Sequence, residues 1–493
     1  MDFGIVLTFL AAFIICLLLT SIWKNVSMKS RLPPGPTPLP VLGNLLQVKG
    51  GEMVKCLLQL NEKYGPLFTV YFGPHRVVVL CGYEVVKEAL IDQGDDFLFR
   101  GKSPVFDRIF HGYGVGMSNG ERWKKLRQFS LMTLRNLGMG KRSLEERVQE
   151  EVQYVMEEFK KKNQLPFNPQ HLFFYFASNV ISSVIFGKRF DYDDEEWSSR
   201  LCLLKEGVYI MTTVWGQLYD LFPSIMQFMP GPHNKMFQTF EELKEYISQR
   251  VKKNKETLDP NNPRDFIDCF LIRMEKEKED KDPCFVMENL VLSVLDIYIA
   301  GTETISNTIA YGLLLLMKYP EIEAKLHEEI DLVIGRNRNP SIEDRSSMPY
   351  TNAVIHEIQR FGDIFPMGAA RTVNKDTPFR GYQIPKDTIV LTMLGTVLRD
   401  PKHFLDPENF NPRNFLDENE EFKKNDAFLP FATGKRMCLG EGLARMELFL
   451  FITSILQNFN LKPLIDPKDI DITPAESGFE NVPQDYELCI IPR

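Results

Sequence analysis

The sequence predicts a mainly α-helical protein with a smaller β-rich lobe, an α+β class, preceded by one N-terminal transmembrane helix. Stretches with helical periodicity occupy most of the chain before the 370s. Runs of β-branched and aromatic residues occur at 67–80 and again at 379–391, which indicates a second, smaller β-rich part. An uncharged apolar segment at the N-terminus stands apart from both.

Residues 3–22 predict a membrane anchor. These 20 consecutive residues carry no charge, and a helix of that length crosses the roughly 30 Å apolar layer of a bilayer. A cleaved signal peptide is the alternative, but Asp2 stands where a basic start is usual, and no small-residue cleavage site follows. Lys24, Lys29 and Arg31 follow the segment, so the positive-inside rule places the rest of the chain in the cytosol.

Residues 23–40 form a basic and proline-rich linker, with five prolines between positions 33 and 40. Proline fixes φ and lacks a backbone donor, so this segment is expected to be stiff and non-helical. No repeat or second linker follows, and 41–493 is expected to be one catalytic domain. Within it, 67–72 and 76–80 predict a hairpin through Gly73-Pro74, and a C-terminal hairpin is expected near 486–491.

Composition excludes several classes of protein. Apolar residues make up 44% and charged residues 25% of the 493 residues, which is typical of a globular protein with a large core. The net charge of -8 does not favour nucleic-acid binding. Eight scattered cysteines without C-x-x-C spacing indicate neither a disulfide framework nor a zinc site, and they suit a reducing compartment.

The segment 431–440 carries the strongest chemical signal. Cys438 stands just before an apolar run, 443–456, that predicts a long helix. A thiolate at a helix start meets the positive helix end and free backbone N–H groups, so we expect a lowered pKa for Cys438 and a role as a metal ligand. Gly434 and Gly440 are expected to let the backbone turn tightly and approach a flat ligand.

A second signal lies at 300–304, in the middle of a 36-residue helical run between Pro283 and Pro320. Asp296, Ala300 and Thr304 are spaced four residues apart and share one helix face. Buried acids are costly without compensation, so Asp296 and Glu303 indicate function. We expect the Thr304 hydroxyl to donate to a carbonyl one turn back and, with Gly301, to open a local groove in the helix.

The order Phe431-x-x-Gly434-x-Arg436-x-Cys438-x-Gly440 resembles the haem-binding signature of the cytochrome P-450 monooxygenases. The resemblance runs through essentially the whole chain and is closest to the microsomal branch called family two. It implies the triangular, helix-rich P-450 prism fold and haem b as cofactor. Cys438 would be the axial iron ligand, Arg436 would pair with a haem propionate, and Phe431 would shield the sulfur from water.

The segment 300–304 is similar to the oxygen-activating motif of the same family. By that resemblance, Thr304 and Glu303 would organise water and deliver protons during oxygen activation. The proposed haem-contacting residues are Arg100, Trp123, Arg127, Ala300, Arg371, Phe431, Arg436 and Gly440.

Glu357 and Arg360 match the Glu-x-x-Arg of the family's proximal helix, where an ion pair would support the haem loop. The third partner departs from the family pattern. Asn414 stands where arginine is expected, and Arg413 is displaced by one residue, so either residue could complete the network.

Pocket-lining residues are also implied by position, and their aromatic and aliphatic character favours lipophilic substrates such as foreign compounds, steroids or fatty acids. They are Phe110, Val115, Met117, Val208, Met211, Ala300, Phe365, Ala369 and Phe479.

The chain has no flavin or nicotinamide motif, although the implied reaction consumes two electrons. The resemblance therefore implies a separate donor, the NADPH-cytochrome P-450 reductase, with cytochrome b5 as an additional candidate. It also implies a location in the endoplasmic reticulum membrane with the catalytic domain on the cytosolic side. Two other classes stay open: a thiolate-haem isomerase or lyase that acts on peroxides without reductase, and a membrane-tethered haem carrier or sensor.

Overall fold

A computed structural model describes residues 31–48, 52–139, 142–281 and 283–493. The predicted membrane anchor at 3–22 and the first part of the linker lie outside these ranges. Among the helices in these ranges, none combines the length and the apolar character needed to cross a membrane.

Helices dominate the described chain, which confirms the predicted mainly α class. In chain order they are α1 (Met53–Tyr64), α2 (Tyr83–Lys87), α3 (Pro104–Phe110), α4 (Gly114–Met117), α5 (Gly120–Asn136), α6 (Arg142–Lys161), α7 (Gln170–Ile185), α8 (Glu195–Thr212), α9 (Val214–Leu221), α10 (Pro223–Met226), α11 (Pro232–Glu256), α12 (Phe266–Lys276), α13 (Met287–Lys318), α14 (Pro320–Val333), α15 (Pro349–Gly362), α16 (Leu394–Leu398) and α17 (Glu441–Asn458).

Local sequence sets several helix ends. The Ser103 hydroxyl accepts a hydrogen bond from the backbone N–H of Phe106 at 3.3 Å and caps α3. Asp194 caps α8 in the same way, with its carboxylate 2.9 Å from the N–H of Trp197. Pro320 occupies the first position of α14, where a missing N–H costs nothing, so α13 ends just before it.

The β-rich lobe contains one larger sheet and three strand pairs. The strands are β1 (Leu67–Phe72), β2 (His75–Cys81), β3 (Phe99–Arg100), β4 (Arg371–Thr372), β5 (Thr377–Phe379), β6 (Tyr382–Ile384), β7 (Ile389–Met393), β8 (Phe459–Pro463), β9 (Glu476–Ser477), β10 (Asn481–Val482) and β11 (Leu488–Pro492). The larger sheet has the order β1-β2-β7-β4-β3, and β2 and β7 are its parallel pair.

The two predicted hairpins have different outcomes. The early one is confirmed, since β1 pairs antiparallel with β2 in the register Leu67↔Leu80. The C-terminal one is wrong. A strand, β11, is present there, but it pairs with β8, which lies before the β9–β10 pair in the chain, and so it forms no hairpin. Strand propensity located β11, but the long-range partner depended on tertiary packing.

Helix α13 forms the centre of the core. Most of its residues are buried, and it packs most extensively against α7. The helix is continuous through Gly301, where a Cβ would lie 2.9 Å from Cγ1 of Ile181 on α7. The glycine therefore permits close helix packing at this point, and the expected groove in the helix stays a prediction.

The segment between α16 and α17 is held to α15 by Glu357 and Arg360. Both side chains are fully buried, and they form two parallel hydrogen bonds of 2.7 Å. Arg360 also donates to the carbonyls of Leu398, Pro407 and Asn409 at 2.7–2.9 Å. Every N–H of this guanidinium is thereby satisfied, which fixes the connection that leads to the 431–440 loop.

Asn414 completes this network. Its Nδ2 lies 3.2 Å from both carboxylate oxygens of Glu357, whereas Arg413 is exposed. The N–H of Asn411 donates to Glu357 as well, at 2.7 Å. A neutral amide suits this position because the single positive charge of Arg360 already balances the Glu357 carboxylate.

We expect Arg360→Leu to destabilise the protein by about 3–5 kcal/mol, because it leaves the Glu357 carboxylate buried without a counter-ion. Arg413→Ala is the matched control, since that arginine is exposed and its loss should cost less than about 0.5 kcal/mol. Urea unfolding followed by tryptophan fluorescence measures both. Equal midpoints for the two variants would contradict this role for Arg360.

Candidate active site

The loop 431–440 folds back on itself ahead of α17. The N–H of Cys438 donates to the carbonyl of Phe431 at 3.0 Å and closes the loop. Gly434 has φ +75°, and a Cβ there would collide with the carbonyl of Leu90. The loop thus requires this glycine for its turn against residues 88–92. Gly440, by contrast, has an ordinary φ of -93°, and a Cβ there would make a normal contact 4.0 Å from the Cys438 sulfur.

Cys438 lies deep in the protein, although part of its surface is accessible, so it lines an interior space. Burial raises the pKa of its thiol, and the N–H groups of Gly440 and Glu441 at the start of α17 act in the opposite direction. The expected net lowering is therefore wrong for the free thiol, because desolvation outweighs the helix end. Arg127 is the nearby cation that favours the thiolate.

Four arginines and a tryptophan surround the same interior space. Arg436 is buried, and its guanidinium donates to the carbonyls of Leu98 at 3.0 Å and Ser118 at 2.8 Å. The guanidinium carbon also lies 4.1 Å from the ring of Trp123 on α5. Arg436 therefore joins the 431–440 loop to the segment before α5.

The other three arginines bind backbone carbonyls in the same way. Arg100 donates to Ala369 at 3.2 Å, Arg371 donates to Phe97 at 3.2 Å, and Arg127 donates to Met437 at 2.6 Å. We call Arg100, Arg127, Arg371 and Arg436 the arginine cluster.

The arginine cluster carries more positive charge than its surroundings neutralise. Burial and then the neighbouring arginines lower the pKa of Arg436 to about 8 and that of Arg371 to about 9. Burial lowers the pKa of Arg100 to about 10. Across the described ranges, none of the four forms an ion pair. A ligand with two carboxylates, as haem b has, fits this charge, and a thiol beside it fits iron.

His356 on α15 and Arg445 on α17 form a contact next to Phe431 of the 431–440 loop, and the sequence analysis predicted neither residue. His356 Nδ1 donates to the carbonyl of Asn352 at 2.7 Å, so its Nε2 accepts from Arg445 at 2.8 Å. Burial and Arg445 lower the pKa of His356 to about 3, which keeps the ring neutral. The Arg445 guanidinium lies 5.2 Å from the Phe431 ring. The spacing Cys438 to Arg445, two helical turns, was the available signal.

The middle of α13 brings the second set of predicted residues together. Thr304 Oγ1 donates to the carbonyl of Ala300 at 2.7 Å, as expected for a threonine inside a helix. Ala300 is accessible and Thr304 is half-buried, although both lie inside the protein. Glu303 is 7% exposed, and burial raises its pKa to about 7, with Lys205 acting in the opposite direction.

Asp296 explains the glycines at 114 and 116. The N–H of Gly116 donates to the Asp296 carboxylate at 2.8 Å, which holds α4 against α13. A Cβ on Gly114 or Gly116 would collide with that carboxylate. Burial raises the pKa of Asp296 to about 7, against the effects of Gly116 and Arg100. The backbone N–H of Gly116 therefore compensates the burial of the Asp296 carboxylate, and the sequence alone could not identify this partner.

Several predicted pocket residues meet in an aromatic cluster. The rings of Phe365 and Phe479 are 4.6 Å apart, and Phe106 lies 6.3 Å from Phe479 and 6.0 Å from Phe110. Phe106, one turn before Phe110 on α3, was not predicted. The other predicted residues lie on neighbouring elements: Val115 and Met117 on α4, Val208 and Met211 on α8, and Ala369 before β4.

The family model described as Cytochrome P450 matches residues 33–490. Cytochrome P450 2G1 of Oryctolagus cuniculus is 56% identical over 485 residues, which cover 98% of each chain. Cytochrome P450 2A5 of Mus musculus is 53% identical over 490 residues, 99% of each chain. Cytochrome P450 2A6 of Homo sapiens is 52% identical over 487 residues, 98% of this chain and 99% of the relative.

These matches extend over nearly the whole sequence, including the 431–440 loop and α13. A member of this family uses haem b, oxidises a lipophilic substrate and receives electrons from a redox partner. The chain accordingly belongs to the cytochrome P450 family, as a haem-thiolate monooxygenase of its microsomal family-two branch.

Proposed function

We propose that this protein inserts one oxygen atom from O2 into lipophilic substrates at a haem held between Cys438 and the arginine cluster. The observation that carries this proposal is the buried, unbalanced positive charge beside a single cysteine. Haem, when bound, supplies the activation of O2 by which one oxygen atom enters the substrate and the other leaves as water. Trp123 supports the proposal because it is buried beside the arginine cluster, with its ring 4.1 Å from the guanidinium carbon of Arg436.

On α13, we assign proton delivery to Thr304 and Glu303. Glu303 supports this role because burial brings its pKa to about 7, near the pH at which proton donors work best. Thr304 lies beside it, with a hydroxyl whose hydrogen goes to Ala300 and whose oxygen can still accept from water. The two side chains together give a proton source and an acceptor site.

The aromatic cluster supports a lipophilic substrate, because Phe106, Phe110, Phe365 and Phe479 offer apolar faces at one end of the pocket. We propose foreign compounds, steroids and fatty acids as the candidate classes. The electron donor is proposed to be the NADPH-cytochrome P-450 reductase, with cytochrome b5 as a second donor.

For location, we propose the endoplasmic reticulum membrane, with residues 3–22 as the anchor, 23–40 as the linker and 41–493 as a cytosolic catalytic domain. The uncharged anchor and the basic residues that follow it support this division.

Cys438→Ser should remove the thiolate spectrum, because a hydroxyl cannot supply the thiolate. The reduced, carbon monoxide-bound wild type should show the red-shifted Soret band of thiolate haem, and the variant should lose it. Cys202→Ser, a change at an exposed cysteine, is the control and should keep the band. A variant at Cys438 with an unchanged band would exclude this residue as the ligand.

Thr304→Ala should lower the amount of product formed per NADPH consumed, by about tenfold or more, because it removes one step of proton delivery. Electrons would still arrive, but more of them would be lost as hydrogen peroxide. Thr302→Ala is a matched control, since the Thr302 hydroxyl makes the same kind of bond to the carbonyl of Tyr298, at 2.8 Å, but is fully buried.

The ratio of product to NADPH, measured with reductase and one good substrate, decides the role of Thr304. Equal ratios in the wild type and Thr304→Ala would make this threonine purely structural. The same measurement separates the alternatives, because an isomerase or lyase makes product without NADPH and a carrier or sensor makes none.

Asn25-Val26-Ser27 is a glycosylation sequon that should stay unmodified in cells, because the proposed topology places it on the cytosolic side. Deletion of residues 1–22 should weaken membrane attachment while the protein retains haem. Mass spectrometry of the N-terminal peptide measures the first result, and membrane fractionation measures the second. A glycan on Asn25 would show that the topology is inverted.

A further inference from the structure

Glu480 lies on the turn between β9 and β10, against α13. Its Oε2 is 3.4 Å from Nδ2 of Asn307 on that helix. Asn481 fixes the turn, because its N–H donates to the carbonyl of Ile364 at 2.9 Å and its side chain donates to the carbonyl of Asp363 at 2.8 Å. The position of the Glu480 carboxyl is therefore set by two anchored elements.

This carboxyl faces the same stripe of α13 as the residues to which we assign proton delivery. Ala300, Glu303, Thr304 and Asn307 follow the spacing i, i+3, i+4 and i+7, so their side chains lie on one helix face. Asn307, the partner of Glu480, lies one turn beyond Glu303. On the other side, the neighbouring Phe479 belongs to the aromatic cluster.

Few charges face this pair of acids. Lys205 on α8 is exposed and acts on Glu303 through space, and Glu303 in turn acts on Glu480. Neither carboxyl forms an ion pair with any residue in the ranges given above. Burial, then the charge of Glu303, raises the pKa of Glu480 to about 8, while Asn307 acts in the opposite direction.

Other buried glutamates show what a structural carboxylate looks like in this protein. Glu357 accepts hydrogen bonds from Arg360, Asn411 and Asn414. Glu151 accepts from Asn179, Arg189 and Tyr192 at 2.7–2.9 Å. Glu480 has a single long contact, so no set of donors holds it in the ionised form.

We propose that Glu480 is a positioning residue for proton delivery, which supplies the proton that Glu303 passes on. The O–H bond of the Glu480 carboxyl breaks and an O–H bond forms on the Glu303 carboxylate. Glu480 then recovers its proton from water, and no electrons are transferred. This inference rests on the proposed function and extends its proton source from one carboxyl on α13 to a pair shared with the β9–β10 turn.

Infrared spectroscopy of the full-length haem protein tests the pair without turnover. Between pH 6 and 9 the wild type should show carboxylic acid C=O absorption with one component that disappears as the pH rises through about 8. Glu480→Gln should lose this component and keep those of Glu303 and Asp296, whose pKa values burial raises to about 7. Glu303→Gln should move the midpoint of the Glu480 component to lower pH, because the like charge that raises the pKa of Glu480 is gone. A component near pH 8 retained in Glu480→Gln, or a midpoint unmoved in Glu303→Gln, would overturn the pairing.

Turnover with reductase tests the delivery. Glu480→Gln should lower the ratio of product to NADPH about threefold or more and should remove the part of its fall near pH 8, because the variant lacks the Glu480 proton while Glu303 still titrates. Its haem content and spectral substrate affinity should match those of the wild type. Glu476→Gln, at an exposed glutamate of the adjoining strand β9, is the matched control, and Glu480→Asp should restore part of the ratio.

Asn307→Ala gives a second route if Glu480→Gln retains little haem, since it leaves both carboxyls and removes only the contact between Glu480 and α13. It should lower the ratio in the same direction by a smaller factor. A wild type that makes no product would overturn the proposed function and this inference together. Product in the wild type, with an unchanged ratio and pH profile in Glu480→Gln and Asn307→Ala, would overturn only this inference.

Discussion

The buried positive charge of the arginine cluster is the constraint on which the haem side of this protein depends. Each guanidinium donates to backbone carbonyls of other segments. Arg436 binds residues before α5, Arg371 binds across the β-rich lobe, and Arg127 binds the 431–440 loop, while Arg100 binds both the lobe and Gly116, which it shares with Arg436. These bonds orient the arginines without neutralising them. In the proposed function, the repulsion between these cations in a low-dielectric interior would be offset by the two carboxylates of the haem bound beside them.

Helix α13 meets a second constraint, since it must be apolar enough to lie in the core and still carry acids to the reaction site. Each acid is handled differently. Asp296 is compensated by the N–H of Gly116, which also fastens α4. Glu303 has no ion pair in the described residues and keeps a raised pKa. The same helix therefore supplies two kinds of acid. Asp296, eight residues before Thr304, is a structural anchor, and Glu303, next to Thr304, is a titrating group.

Sequence patterns located the elements that depend on local chemistry, namely α13, α17, the β1–β2 hairpin and the position of Cys438 before a helix. They failed where the answer depends on a distant partner. Gly301 is required by Ile181, and Gly434 by Leu90, neither of which is near in sequence. The pKa direction at Cys438 reversed because burial, which no local pattern reveals, outweighs the helix end. The predicted C-terminal hairpin was wrong for the same reason, because β11 pairs with the distant strand β8.

The carboxyls inside this protein differ in how many hydrogen bonds they accept, and they can be divided into those with several donors and those with few or none. Glu357 and Glu151 accept from three partners each, and their loss would be felt as lost stability. Glu303 is buried and Glu480 is half-buried, each with few donors, so desolvation raises their pKa toward neutrality. In a carboxyl of the first kind, burial also raises the pKa, but the surrounding donors act in the opposite direction. A carboxyl of the second kind is free to exchange a proton. Asp363 and Glu447 are also buried with carboxylate oxygens that have no hydrogen-bond partner in the described residues, but Glu303 lies beside Thr304 on α13, and Glu480 contacts Asn307 one turn further along that helix.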